Sequence, residues 1–194
     1  TNNIFSYKTS LSKLDRSGIK NQKPKVFWMT GLSGSGKSTI ANLLEKKLFI
    51  LNKHTMLLDG DILRVGLNND LGFSESDRIE NIRRVCEISK LLVDAGLIVI
   101  VALISPYREE RANVRNSFKK NEFVEIFVEA SLEVVQKRDT KGLYKKAKQG
   151  LLKNFTGIDS PYEKPVNPDI HINTENLTPE ESVDLIIRKY FNDS

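Results

Sequence analysis

Cysteine is almost missing from this chain: Cys86 is the only one among 194 residues. A single thiol cannot close a disulfide within the chain, so a disulfide-stapled secreted scaffold is excluded and a reducing compartment is expected. No uninterrupted apolar run approaches the ~20 residues of a membrane-spanning helix. The stretch Thr1 to Lys25 is polar and basic and lacks the apolar core of a secretory signal. These absences predict a cytoplasmic protein with no membrane partner; a first residue of Thr1 leaves open an organelle address that has been removed. Internal repeats and low-complexity tracts are lacking too.

Most of the chain also lacks an excess of either charge. The net charge is +5. Residues 1–25 hold Lys8, Lys13, Arg16, Lys20, Lys23 and Lys25 against Asp15, which accounts for the whole excess and leaves the remainder neutral. Residues 1–24 therefore read as a basic arm, either a mobile solubilising tail or a segment for docking or self-association. A neutral body without a recognition motif predicts no nucleic-acid partner. Residues 25–194 have the length of one domain with a sizeable core.

What is present alternates. Apolar runs at 26–30, 54–58, 97–104, 123–128 and 170–173 predict strands, the third buried on both faces. Helical spacing marks 38–51, 78–94, about 108–118 and a last helix opened by Thr178-Pro179-Glu180-Glu181. Such alternation predicts an α/β fold, a five-stranded, mainly parallel sheet with helices on both faces.

Gly31-Leu32-Ser33-Gly34-Ser35-Gly36-Lys37-Ser38 matches the phosphate-loop pattern at every fixed position, between a strand and a helix. Its glycines let backbone N–H groups wrap phosphate, and the helix N-terminus adds a favourable dipole. Lys37 is expected to reach the β- and γ-phosphates of ATP, and Ser38 to ligate Mg²⁺. A GTPase would carry N-K-x-D late in the chain; Asn52-Lys53-His54-Thr55 lacks the Asp and comes too early.

Leu57-Leu58-Asp59-Gly60-Asp61 sets two carboxylates at the C-terminal end of a strand, the edge where open α/β sheets bind ligands. Asp61 is the candidate for positioning Mg²⁺ or accepting the acceptor's hydroxyl proton, with Asp59 in support; the bland alternative is a turn-forming Asp-Gly. Arg64, Arg78 and Asn81 suit an anionic acceptor group. Phe73 reads either as a base-stacking ring or as a cap on the core. From Lys137 to Lys153, seven basic residues face Asp139 alone. That is a solvated helix or, beside a phosphate loop, a basic lid over about 137–157. Phe155 is a second stacking surface or a hinge anchor.

Taken together these segments resemble the adenylylsulfate kinases. The likeness runs from about Lys25 to the end and rests on Gly31 to Thr39, Leu58-Asp59-Gly60-Asp61, Leu67 to Ser74, Asp77 to Arg84, Ile104-Ser105-Pro106-Tyr107-Arg108, Lys141 to Ala147 and Phe155-Thr156-Gly157-Ile158-Asp159. The resemblance implies a P-loop nucleoside-triphosphate hydrolase fold. It implies transfer of the γ-phosphoryl of MgATP to the 3′-hydroxyl of adenosine 5′-phosphosulfate. It places Arg138, Asn173 and Thr174 near the ATP base, and Thr39 beside the ATP phosphates. Asp61 would orient the hydroxyl and assist Mg²⁺. Arg64, Arg78 and Asn81 would hold the phosphosulfate and ribose, and Phe73 and Phe155 would clasp the acceptor adenine. Ile104, Ser105 and Leu143 would line the acceptor pocket, and Lys141 would meet phosphate from the lid. A homodimer and an association with ATP sulfurylase are implied as well. Ile62, Leu103 and Thr140 depart from residues common in the family, without removing a proposed catalytic group. Two other readings stay open: a P-loop kinase for another small anionic acceptor, such as a nucleoside monophosphate or a sugar acid, and a catalytically silent nucleotide-binding module.

Overall fold

A computed structural model of the chain describes residues 9–139 and 141–191. Val26, Phe27, Trp28 and Met29 are fully buried, because strand β1 (Lys25–Thr30) is the centre of the sheet. Strands β2 (Thr55–Asp59), β3 (Ile98–Ala102), β4 (Phe123–Glu129) and β5 (Ile170–Asn173) join it in the order β2-β3-β1-β4-β5. Every pairing is parallel, with Trp28 opposite Val101 on one side and Glu125 on the other.

Alternation along the strands separates two apolar layers. Phe27, Met29, Ile100 and Ile126 meet Ile40, Leu44 and Leu48 of α2 (Lys37–Ile50) and Val183 and Ile186 of α8 (Pro179–Phe191). Val26, Trp28, Val99 and Val101 meet Ile82, Val85 and Val93 of α4 (Glu75–Asp94) and Val114 of α5 (Arg108–Asn116). A third, smaller group carries the expected lid: Val135 of α6 (Leu132–Arg138), Tyr144 and Ala147 of α7 (Leu143–Lys148), and Phe155. The departure at Thr140 lies outside the described residues.

The described part of the basic arm is not a free tail. Residues Lys13–Ile19 form helix α1, started by a capping box between Ser12 and Asp15. Lys13 pairs with Glu122 at 2.7 Å and Arg16 with Asp94 at 2.6 Å. Gln22 donates to the His54 and Gly96 carbonyls. Two of the arm's basic residues, Lys13 and Arg16, thus answer acids far away in sequence, which a charge count by segment does not detect. Residues 1–8 of the expected arm lie outside the described residues.

Two helix starts also differ from expectation. Helix α4 begins at Glu75 because Ser74 and Asp77 cap each other's backbone. Asp59-Gly60-Asp61 is not merely a turn: Asp59 Oδ1 accepts the Asp61 N–H and starts helix α3 (Gly60–Val65).

The Phe27 ring, fully buried between β1 and the edge of Tyr190, tests the layer directly. Phe27→Ala is expected to cost about 3–5 kcal/mol, read as a lowered denaturation midpoint with an unchanged denaturant slope.

Candidate functional site

The parallel strands bring their C-terminal ends to one edge, and a cleft of about 910 Å³ opens there. Its first wall is the loop between β1 and α2. Gly31 comes so close to β4 that a Cβ would stand 2.2 Å from the Val128 carbonyl oxygen. Gly34 and Gly36 take the left-handed backbone, with φ of 76° and 101°. No side chain caps α2, so its first N–H groups are left for the cleft, and the buried Ser35 hydroxyl has no partner among the described residues. Lys37 is buried, and its ammonium donates to the Leu32 carbonyl at 2.7 Å. Burial pushes that ammonium down to about 8, while the Asp59 and Asp61 carboxylates oppose the shift.

The second wall is Asp59-Gly60-Asp61. Asp59 Oδ2 accepts from Ser38 Oγ at 2.6 Å, so Asp59, rather than Asp61, stands against the P-loop serine. Asp61 lines the same cleft and is paired with Lys141 of the lid. The hydroxyl and carboxylate of Ser38 and Asp59 are hard oxygen donors, the chemistry that suits Mg²⁺. Among the described residues no cluster of three or more His, Cys, Asp or Glu forms a metal site. An ion here would therefore complete its shell with phosphate oxygens and water.

The third wall takes α3, α4 and the loop between them. Arg64 donates to the Leu71 and Gly72 carbonyls and lies 4.3 Å from the Phe73 ring centroid. Arg78 Nε donates to the Phe73 carbonyl at 3.1 Å, and its Nη2 donates to the Asn154 carbonyl. Asn81 Oδ1 accepts from buried Asn68 Nδ2 at 3.0 Å, which leaves the Asn81 amide N–H groups for the cleft. Arg64, Phe73, Arg78, Asn81, Ile104, Ser105, Leu143 and Phe155 all line the one cavity. Phe73 is half exposed, whereas Phe155 is buried and meets Tyr144 edge-on at 4.8 Å. One face of the Phe73 ring is covered by Arg64 in this arrangement.

The fourth wall is built by Thr174 and Arg138. Thr174 Oγ1 donates to the Ser35 carbonyl at 3.0 Å and accepts from Arg138 at 2.9 Å. Ser33, Thr39, Arg138 and Thr174 line the cleft; Asn173 does not. Its Oδ1 accepts the Glu175 N–H, so it shapes the turn that presents Thr174 instead.

Tyr144 and Asn68 lie within segments that carry the family resemblance, but no role is assigned to either from the sequence. The Tyr144 hydroxyl donates to the Ser33 carbonyl at 2.8 Å and ties the lid to the phosphate loop. Asn68 sets the Asn81 amide. Neither spacing nor periodicity marks them, because both act across the fold.

A family model described as adenylylsulphate kinase matches residues 23–173. The adenylyl-sulfate kinase of Oceanobacillus iheyensis is 58% identical over 95% of this chain and 93% of its own length. The bifunctional enzyme NodQ of a Rhizobium species is 55% identical over 95% of this chain, which spans 28% of that longer protein. Among solved structures, the Mycobacterium tuberculosis APS kinase CysC in complex with AMPPNP and APS superposes with a TM-score of 0.82 at 45% identity, covering 86% of this chain and 96% of that one.

Lys37→Ala removes the buried ammonium from the phosphate loop without leaving an unpaired charge. The fold is expected to persist by circular dichroism, and affinity for a nucleoside triphosphate to fall roughly 10–100-fold by calorimetric titration.

Proposed function

We propose that this chain, which belongs to the adenylylsulphate kinase family, transfers the γ-phosphoryl group of ATP to the 3′-hydroxyl of adenosine 5′-phosphosulfate. One observation carries the reading: a single cleft is lined by Ser33, Gly34, Gly36, Lys37 and Ser38 of the phosphate loop together with two acceptor-side arginines, an asparagine and two phenylalanines. A phosphate loop alone binds a nucleotide. The second set suits an acceptor that is both aromatic and anionic, and a sugar acid has no use for the rings.

The residues divide the work. Backbone N–H groups of 31–38 and Lys37 hold the β- and γ-phosphates, while Arg138 and Thr174 stand at the base end. Arg64, Arg78 and Asn81 hold the acceptor's phosphosulfate and ribose. Phe73 and Phe155 take its adenine, which requires the Arg64 guanidinium to leave the Phe73 face and meet the anion instead. Asp61 accepts the proton of the 3′-hydroxyl as that oxygen attacks the γ-phosphorus and the bond to the β–γ bridging oxygen breaks. Lys141, paired with Asp61 before substrates enter, moves to the transferring phosphoryl group, so one lid cation serves both states. Ser38 and Asp59 would hold Mg²⁺, which when bound neutralises charge on the β- and γ-phosphates.

The resemblance implies a homodimer and a link to ATP sulfurylase. The longer bifunctional relative, in which the matched region is one part, supports a fused or partnered setting. Among the described residues no helix is long and apolar enough to cross a membrane.

ADP release with MgATP, measured across adenosine 5′-phosphosulfate, AMP and gluconate, tests the reading. The phosphosulfate is expected to be used at micromolar concentrations and the others poorly. Better use of gluconate, or no turnover with any acceptor, overturns it. Asp61→Asn is expected to lower kcat roughly 10²–10⁴-fold with ATP affinity unchanged; turnover that survives removes Asp61 from the proton transfer.

A further inference from the structure

Behind the acceptor wall lies a buried cluster that the mechanism above does not use. Ser105 is a non-glycine residue in the left-handed region, with φ of 38°. Such a backbone persists only when its surroundings hold it. Here they do so from inside the protein. Arg111 Nη1 donates to the Ser105 carbonyl at 2.6 Å, and Trp28 Nε1 donates to the Ser105 hydroxyl at 3.0 Å. Thr30 Oγ1 holds the Ile104 carbonyl at 2.6 Å.

Arg111 is fixed in turn by everything around it. Its Nε donates to Glu125 Oε1 at 2.9 Å, and its Nη2 to the Glu163 carbonyl at 2.6 Å. The Glu163 N–H returns to the Pro106 carbonyl at 2.9 Å. The Arg111 side chain is 2% exposed and does not line the cleft. A planar fork with donors in three directions is what a guanidinium offers and an ammonium does not.

The consequence is a polarity on the loop. Both the Ile104 and the Ser105 carbonyls are occupied on the protein side. Neither the Ile104 nor the Ser105 N–H finds a protein acceptor among the described residues, although both residues line the cleft. The 104–105 segment thus keeps two N–H donors unpaired beside the cleft while its own two carbonyls are taken, an arrangement that suits the ring nitrogens of a purine.

We propose that Arg111 is a positioning residue for the acceptor. By pulling the Ser105 carbonyl inward against Glu125, it turns the 104–105 N–H groups toward the adenine of the second nucleotide. This rests on the adenylylsulfate kinase reading above.

Arg111→Lys keeps the charge beside Glu125 and loses the fork. Its KM for adenosine 5′-phosphosulfate is expected to rise at least about tenfold, with the KM for ATP within about twofold of wild type. Trp28→Phe keeps an aromatic ring in the core and removes only the donor to Ser105; a smaller rise confined to the same KM is expected. Thermal unfolding establishes that each variant is folded. If Arg111→Lys does not fold, Trp28→Phe decides. A folded variant in which both KM values move together, or neither moves, overturns the proposal. Failure of both variants to fold also overturns it, since the cluster then serves folding rather than recognition. Absence of wild-type turnover with the phosphosulfate defeats the functional reading and this proposal together, whereas wild-type turnover with insensitive variants defeats this proposal alone.

Discussion

A nucleoside triphosphate concentrates negative charge at one point, and the protein must meet it there with fixed positive partners. Here that point is the junction of β1 and α2. The backbone can reach it only because Gly31 presses against the Val128 carbonyl, at a separation no side chain would allow. Lys37 then enters a buried position beside the opening N–H groups of α2. Burial disfavours its charge, and the Asp59 and Asp61 carboxylates oppose that effect. Moving the sheet or the helix by the width of a methyl group would lose both effects.

The other working residues owe their places to the sheet's direction. Because all five strands run parallel, β1, β2 and β3 each release the chain at the same edge. β1 delivers the phosphate loop, β2 the two aspartates, and β3 the Ile104-Ser105 segment. Beyond the sheet, β5 leads into Thr174, which latches onto the Ser35 carbonyl. Function depends on this convergence more than on any single pair, since residues more than a hundred positions apart share one cavity.

The segment around α7 touches both ends of the cleft. Its lysine is paired with Asp61, its tyrosine with the Ser33 carbonyl, and the carbonyl of Asn154 with Arg78. The nucleotide end and the acceptor wall are therefore both tied to the same short segment. The Lys141–Asp61 pair is exposed, and such pairs contribute little to stability.

Local patterns were legible in the sequence by itself. Glycines at fixed offsets, a Lys-Ser pair, alternating apolar runs and an acidic strand end each act within a few residues, so order along the chain determined the phosphate loop, the parallel α/β sheet and most members of the cleft. The tertiary structure alone decided which partner each side chain takes. Asp59 rather than Asp61 meets Ser38, Asn173 shapes a turn instead of facing the cleft, Asn68 orients Asn81, and a basic arm folds into α1 because its acids sit on α4 and at Glu122. The reason is one of range: a hydrogen bond or an ion pair is set by distances of a few ångströms in space, and separation along the chain carries no information about them once the chain has doubled back on itself.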